Sequence, residues 1–121
     1  MELKELQEKV LAWADEKDLL YEKNADKQFM KFIEEVFEFK TEFDFFKLFY
    51  NREFKEHQIC LDLERKLKLE MGDIFVTLII LCKQLDIDPM SCLESAYNKI
   101  KDRKGKTVNG QFIKESDLRR K

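Results

Sequence analysis

Turn-forming residues are nearly missing from this chain: three glycines and one proline in 121 residues. A β-sandwich or barrel needs many tight turns, so this scarcity excludes a turn-rich β fold and leaves long helices. Histidine is as scarce. With His57 alone, no Ser-His-Asp or Cys-His nucleophile set stands out, and the Glu-x-x-His pairs of di-iron bundles are absent. Zinc sites want clustered His or Cys. Cys60, Cys82 and Cys92 are odd in number and form no Cys-x-x-Cys, so they read as free thiols in a reducing, cytoplasmic compartment. There is no EF-hand loop and no glycine-rich phosphate loop. The longest near-continuous apolar run, residues 74–82, falls well short of the roughly 20 residues that span a bilayer. The charged start Met1-Glu2-Leu3-Lys4-Glu5 is unlike a signal peptide. A net charge of −2 supplies no global field toward nucleic acid or an anionic membrane, and neither is expected as a partner.

What the chain does have is charge and apolar surface in helical register, at 40% and 44% of residues. That balance predicts an all-α fold, a four- to five-helix bundle in a single domain over residues 1–121. Leu3, Leu6, Val10, Leu11 and Trp13 predict a first helix over about residues 2–16. Asn24 is a plausible cap for a second, reaching about Tyr50. Phe29, Phe32, Ile33, Val36 and Phe37 fall at i, i+3, i+4, i+7 and i+8, which predicts a core stripe with Glu34, Glu35 and Glu38 on the opposite arc. Residues 42–60 carry Phe43, Phe45, Phe46, Phe49, Tyr50 and Phe54 among charges. So many aromatics are unsuited to a solvated loop. They predict a helical extension or short extra helix that covers something apolar, either another subunit or a local corner. A third helix over about residues 61–85 is apolar on nearly all sides after Glu70. Asp88-Pro89 is a start signal for a fourth helix ending near Gly105. Asn109-Gly110 marks a tight turn, hence a short C-terminal hairpin or tail over residues 106–121.

Two acidic pairs carry the chemistry. Glu35/Glu38 and Glu70/Asp73 each lie three apart, on one face of a helix. The first alone is most often a solvated face. The second opens the most apolar helix of the chain, where unpaired carboxylates would cost several kcal/mol each in desolvation. A divalent cation held between facing pairs is the natural compensation. All-carboxylate ligation suits a hard cation, Mg²⁺ with Mn²⁺ as substitute, which keeps open positions for water and phosphate. The basic run over residues 99–106 would supply cations to match, although a helix C-terminus favours Lys and Arg in any case.

Glu-Glu-x-x-Glu at residues 34–38 followed by Glu-x-x-Asp at residues 70–73 resembles the MazG-like branch of the all-α nucleoside triphosphate pyrophosphohydrolases. Val10-Leu11-Ala12-Trp13-Ala14, Gln28 and Lys31, Glu70-Met71-Gly72-Asp73-Ile74, and the segment from Ala96 to Lys106 are in the same style. The resemblance covers about residues 8–113, with the helical core at about 8–105. Two departures stand out: thirty-one residues separate Glu38 from Glu70, so the Phe-rich segment at about 42–60 looks like an insertion, and Phe37 replaces the usual glycine of the first motif.

The resemblance implies Mg²⁺-dependent hydrolysis of a nucleoside triphosphate to monophosphate and pyrophosphate by a homo-oligomer, a dimer or tetramer. It implies metal ligation by Glu35, Glu38, Glu70 and Asp73, with Glu34 positioning or deprotonating the attacking water. Lys101 and Arg103 would neutralise the departing pyrophosphate, and Asn98 and Asp102 would orient phosphate or sugar. Lys31 is either a phosphate contact or an i,i+4 partner of Glu35. Trp13 either stacks on a base or fills the core. The competing expectation is a non-catalytic helical module that binds a protein through its Phe-rich segment.

Overall fold

The structure, a computed structural model, describes residues 1–118; the last three residues of the expected tail lie outside the described residues. It is all-α, with five α-helices among the described residues and one short hairpin. These are α1 (Leu3–Glu16), α2 (Ala25–Phe49), α3 (Gln58–Gln84), α4 (Pro89–Ile100) and α5 (Glu115–Leu118), with β1 (Gly105–Val108) and β2 (Gln111–Lys114) between the last two. Among these residues, no helix is long and apolar enough to cross a membrane. Residues Met1–Ile87 form one unit, and the chain from Asp88 onward a second.

In the first unit, α2 and α3 form an antiparallel hairpin along a seam with alternating four- and three-residue spacing. On α2 the inward residues are Gln28, Phe32, Glu35, Phe39, Glu42 and Phe46, each buried or half-buried. On α3 they are Cys60, Leu63, Leu67, Glu70, Ile74, Thr77, Leu81 and Gln84, again none of them exposed. This is heptad packing. Polar residues recur every seven positions, Gln28, Glu35 and Glu42 on α2 and Glu70, Thr77 and Gln84 on α3, and the Gln28 Nε2–Thr77 O bond of 3.1 Å fixes which ones face each other. A Lys66–Glu42 contact of 3.9 Å lies further along the same seam. Helix α1 packs on α3 through its Val10, Leu11 and Ala14 side, with Ala14 fully buried.

Of the 3.6-residue stripe anticipated on α2, only Phe32 and Ile33 are half-buried, and the stripe as a whole is not the helix's buried face. Phe37 is 67% exposed and Phe29 and Val36 also reach solvent, while Glu35 is only 7% exposed. Glu34 and Glu38 are exposed as anticipated, but the reading fails at Glu35, because the hairpin follows the 4-3 seam, which turns that carboxylate into the interface. Helix α3 is likewise less enclosed than its composition suggests, with Phe75 and Leu69 open.

Helix ends explain how the chain turns with so little glycine. Asp18 (φ 57°) closes α1 and Asp86 (φ 55°) closes α3, each in the left-handed region usually given to Gly. The bonds Leu19 N–Ala14 O and Ile87 N–Cys82 O, both 2.9 Å, complete these turns. Gln84 Nε2 then donates to Leu19 O at 2.6 Å, tying the α1 exit to the end of α3. Asn24 precedes α2 as expected but its side chain makes no capping bond, because a short 3₁₀ turn (Glu22–Asn24) leads straight into the helix. The Phe-rich segment is the helical extension anticipated. Helix α2 runs through it to Phe49, and a 3₁₀ turn at Arg52–Phe54 leads into α3, which begins at Gln58.

In the second unit, Asp88 accepts from Ser91 N at 3.1 Å and caps α4, with Pro89 in the first turn as its sequence requires. The hairpin pairs Val108 with Gln111 across Asn109 (φ 51°) and Gly110 (φ 78°), two left-handed residues that match the twist of antiparallel strands. Ile80, 3% exposed, is among the few well-buried apolar residues of the first unit. Ile80→Ala is expected to lower unfolding free energy by about 2–4 kcal/mol. Chemical denaturation followed by circular dichroism checks this, and an unchanged midpoint would show that Ile80 is not a core residue.

Candidate functional site

Because Glu35 and Glu70 occupy polar positions of the α2–α3 seam, packing the two helices brings their carboxylates together. Glu38, one turn along α2, joins them: one oxygen from each of Glu35, Glu38 and Glu70 lies within 4.8 Å of the others. Lys31 Nζ reaches Glu35 Oε1 at 3.1 Å and Glu34 Oε2 at 3.4 Å. That leaves Glu35 Oε2 and Glu70 Oε2 buried with no hydrogen-bond partner. Buried acceptors of this kind are expensive unless a proton or cation meets them.

The electrostatics agree. The Glu38 carboxyl is held above its ordinary pKa by Glu35, first through a hydrogen bond that the protonated form would make and then through like charge, with desolvation, Glu70 and Glu34 adding to it. As two carboxylates the pair has no proton to share. Glu70 is raised chiefly by desolvation, then by the charges of Asp73, Glu35 and Glu42, while Lys66 opposes. Lys31 is raised by its bond to Glu35 and stays cationic.

Beside this cluster lies a cleft of about 250 Å³ whose walls include Trp13, Leu19, Gln28, Lys31, Glu35, Asp73, Val76 and Thr77. Three helices and one connection build it: α1 supplies Trp13, the chain just after α1 supplies Leu19, α2 supplies Gln28, Lys31 and Glu35, and α3 supplies the rest. Trp13 is 49% exposed, so it is a cleft wall, not a core filler. Beyond Trp13 and Val76 an apolar groove of about 340 Å³ continues along Leu6 and Val10. The site thus has a carboxylate end and an aromatic end.

Of the residues singled out in the sequence, Glu35, Glu38 and Glu70 come together, and Trp13, Lys31, Glu35 and Asp73 share the cleft. Asp73 lines the wall and stands outside the three-carboxylate group, although its charge acts on Glu70. Glu34 points to the exposed side and is paired with Lys31. Asn98, Lys101, Asp102 and Arg103 belong to the second unit, at and just after the end of α4, and their side chains are exposed or half-exposed. Sequence reasoning missed the cleft positions Leu19 and Thr77, the role of Gln28 as a cleft wall, and Glu42 as a further seam carboxylate. The seven-residue recurrence Gln28, Glu35, Glu42 was the available signal.

Compared with family models, curated proteins and solved structures, the chain matches none.

Raised carboxyl pKa values fix the sign of a pH effect. Glu38 and Glu70 bind protons more tightly folded than unfolded, so their contribution to stability is full below the ordinary carboxyl pKa and is lost as pH rises through their folded values. The metal-free protein is expected to melt higher at pH 5 than at pH 7, and Glu38→Gln should flatten that difference. Thermal melts in chelator across this range are the check; a wild type that gains stability toward pH 7 would contradict it.

Proposed function

We propose that the protein is a Mg²⁺-dependent nucleoside triphosphate pyrophosphohydrolase. The observation that carries this reading is the pair of orphaned buried oxygens on Glu35 and Glu70, within a convergent three-carboxylate group beside a cleft walled by the only tryptophan. Those donors fit a hard divalent cation: all are carboxylate oxygens, and two of them lack any other partner. Glu35, Glu38 and Glu70 would hold it, with Asp73 close by in the cleft wall. When bound, the metal supplies charge neutralisation at the phosphates and acidifies a coordinated water.

The chain's own groups do the rest. Trp13 provides a flat face for the base, and Lys31, tethered to Glu34 and Glu35, fixes the carboxylates and offers positive charge at the phosphate end. Glu34, exposed and paired with Lys31, enters on the strength of the sequence resemblance alone, as the group that would position the attacking water or take its proton. The water oxygen bonds to the α-phosphorus, the bond from that phosphorus to the α,β-bridging oxygen breaks, and pyrophosphate leaves with the electron pair. Asn98, Lys101, Asp102 and Arg103 enter this reading as substrate contacts on the strength of the sequence resemblance alone.

The same reading includes a homo-oligomer. Among the described residues, only Ala14, Cys60, Ile80 and Cys82 are buried apolar residues, and no large side chain is fully enclosed. On α2, Phe45 and Phe49 stack on each other while remaining 47% and 59% exposed, with Leu48 beside them. Soluble monomers rarely carry apolar patches of this extent. Phe46 instead stacks on Tyr50 at 4.3 Å between ring centroids and sits in the seam. A test of the interface therefore falls on Phe45 and Phe49. That exposed face is also what favours the second reading, a non-catalytic module binding a protein partner.

Assays over normal and modified nucleoside triphosphates are expected to show pyrophosphate, not orthophosphate, released only with Mg²⁺ or Mn²⁺. Glu38→Ala and Asp73→Ala should each lose at least about a hundredfold in turnover while keeping the helical spectrum. Inactivity of the wild type across the panel would favour the binding-module reading. In light scattering, wild-type protein at micromolar concentration should exceed the protomer mass, and Phe45→Asp with Phe49→Asp should shift it toward the protomer. A wild-type monomer would refute the assembly, and an unchanged double mutant would refute only the choice of face.

A further inference from the structure

One of the three carboxylates in the cluster is already held by a cation of the chain itself. Lys31 Nζ lies 3.1 Å from Glu35 Oε1 and 3.4 Å from Glu34 Oε2, so it bridges the buried carboxylate to its exposed neighbour. Among the described residues, neither Glu38 nor Glu70 has an ion pair of this kind. Ion pairs along one helix contribute little to stability, and with lysine on the N-terminal side the helix dipole works against them. What the contact does settle is direction. The terminal torsion of a glutamate is soft, so its carboxylate turns easily unless something holds it. Lys31 holds Oε1 of Glu35. The oxygen left buried and without a partner is Oε2, in a residue only 7% exposed.

We infer that Lys31 determines which divalent cation the cluster accepts, by keeping Glu35 to ligation through one oxygen. The inference rests on the metal-dependent reading above and deepens it by naming a selectivity residue. A glutamate that offers a single oxygen suits a small octahedral ion such as Mg²⁺ or Mn²⁺. Ca²⁺ takes roughly six to eight oxygens and gains from carboxylates that bind through both. An ammonium against Oε1 opposes that second contact in two ways. It engages the oxygen, and its charge repels an ion drawn toward it. Lys31 is thus a positioning residue that shapes a ligand without being one. Removing its charge would strengthen the binding of every divalent ion, so the diagnostic quantity is the ratio between Ca²⁺ and Mg²⁺, from which net charge cancels.

The test uses the full chain stripped of metal, with no nucleotide. Mn²⁺ is the probe, its free form read by electron paramagnetic resonance, and Mg²⁺ and Ca²⁺ compete with it. In the wild type, Mg²⁺ should displace Mn²⁺ at lower concentration than Ca²⁺ does. Lys31→Met, of similar length but without charge, should shift that preference about tenfold toward Ca²⁺. Lys31→Arg keeps a cation on Oε1 and should hold the wild-type ratio. Glu38→Ala ties the signal to the cluster, since it should weaken Mn²⁺ binding. A wild type that prefers Ca²⁺, or a Lys31→Met protein that keeps the wild-type ratio, would overturn the inference and leave the hydrolase reading standing. So would a Lys31→Arg protein whose ratio shifts as far as that of Lys31→Met. Mn²⁺ binding that is absent from the wild type, or undiminished in Glu38→Ala, would overturn both. A shifted ratio in a protein that hydrolyses no nucleotide would support the role of Lys31 and count against the hydrolase reading alone.

Discussion

Like charge at the centre of a packed helix pair is the constraint on which the first unit turns. Glu35 and Glu70 meet where α2 and α3 pack, with Glu38 beside them. Two charges 4–5 Å apart repel by roughly 3–4 kcal/mol at an effective dielectric near 20. Around them the helices contribute rings and aliphatic groups at the remaining seam positions, Phe32, Phe39, Leu67 and Ile74 among them. The carboxylates are held together by packing that surrounds them, despite their mutual repulsion. Lys31 relieves part of the charge, and Glu38 and Glu70 answer the remainder by raised proton affinity.

Much of this was legible from composition and spacing. Scarce Gly and Pro gave long helices, Asp88-Pro89 gave the start of α4, and Asn109-Gly110 gave the hairpin turn. The convergence of Glu35, Glu38 and Glu70 followed from i,i+3 spacing once the two helices were assumed to face each other. The facing direction of α2 was not legible, because two patterns overlap on it. Phe29, Phe32, Ile33, Val36 and Phe37 form the denser apolar stripe, while the 4-3 seam, which shares Phe32 with it, mixes Phe with Gln and Glu and reads as polar. A rule that sends apolar residues inward chooses the wrong face when the helix has a second apolar surface left uncovered in the protomer.

Gln28 shows another limit. As a residue type it carries no catalytic signature, and its place in the cleft depends on a bond to a backbone carbonyl forty-nine positions away. The left-handed caps at Asp18 and Asp86 were hidden for a related reason. Asp tolerates that conformation without advertising it as Gly does, so the absence of glycine suggested fewer sharp helix ends than the chain possesses.

The seven-residue recurrence of polar seam positions also defines an alternative the chain must avoid. Sliding α2 by one heptad against α3 would keep rings against aliphatic side chains while placing Glu35 opposite Leu63 and Gln28 opposite Glu70. On charge alone that register is the easier one. Three connections hold the chain in the harder one: the Gln28 amide clamped on Thr77, Gln84 clamped on Leu19, and the tight turn through Arg52–Phe54 that limits slack between the helices. The hairpin is thus a sprung clasp, with its tension at the carboxylates and its catches at the ends.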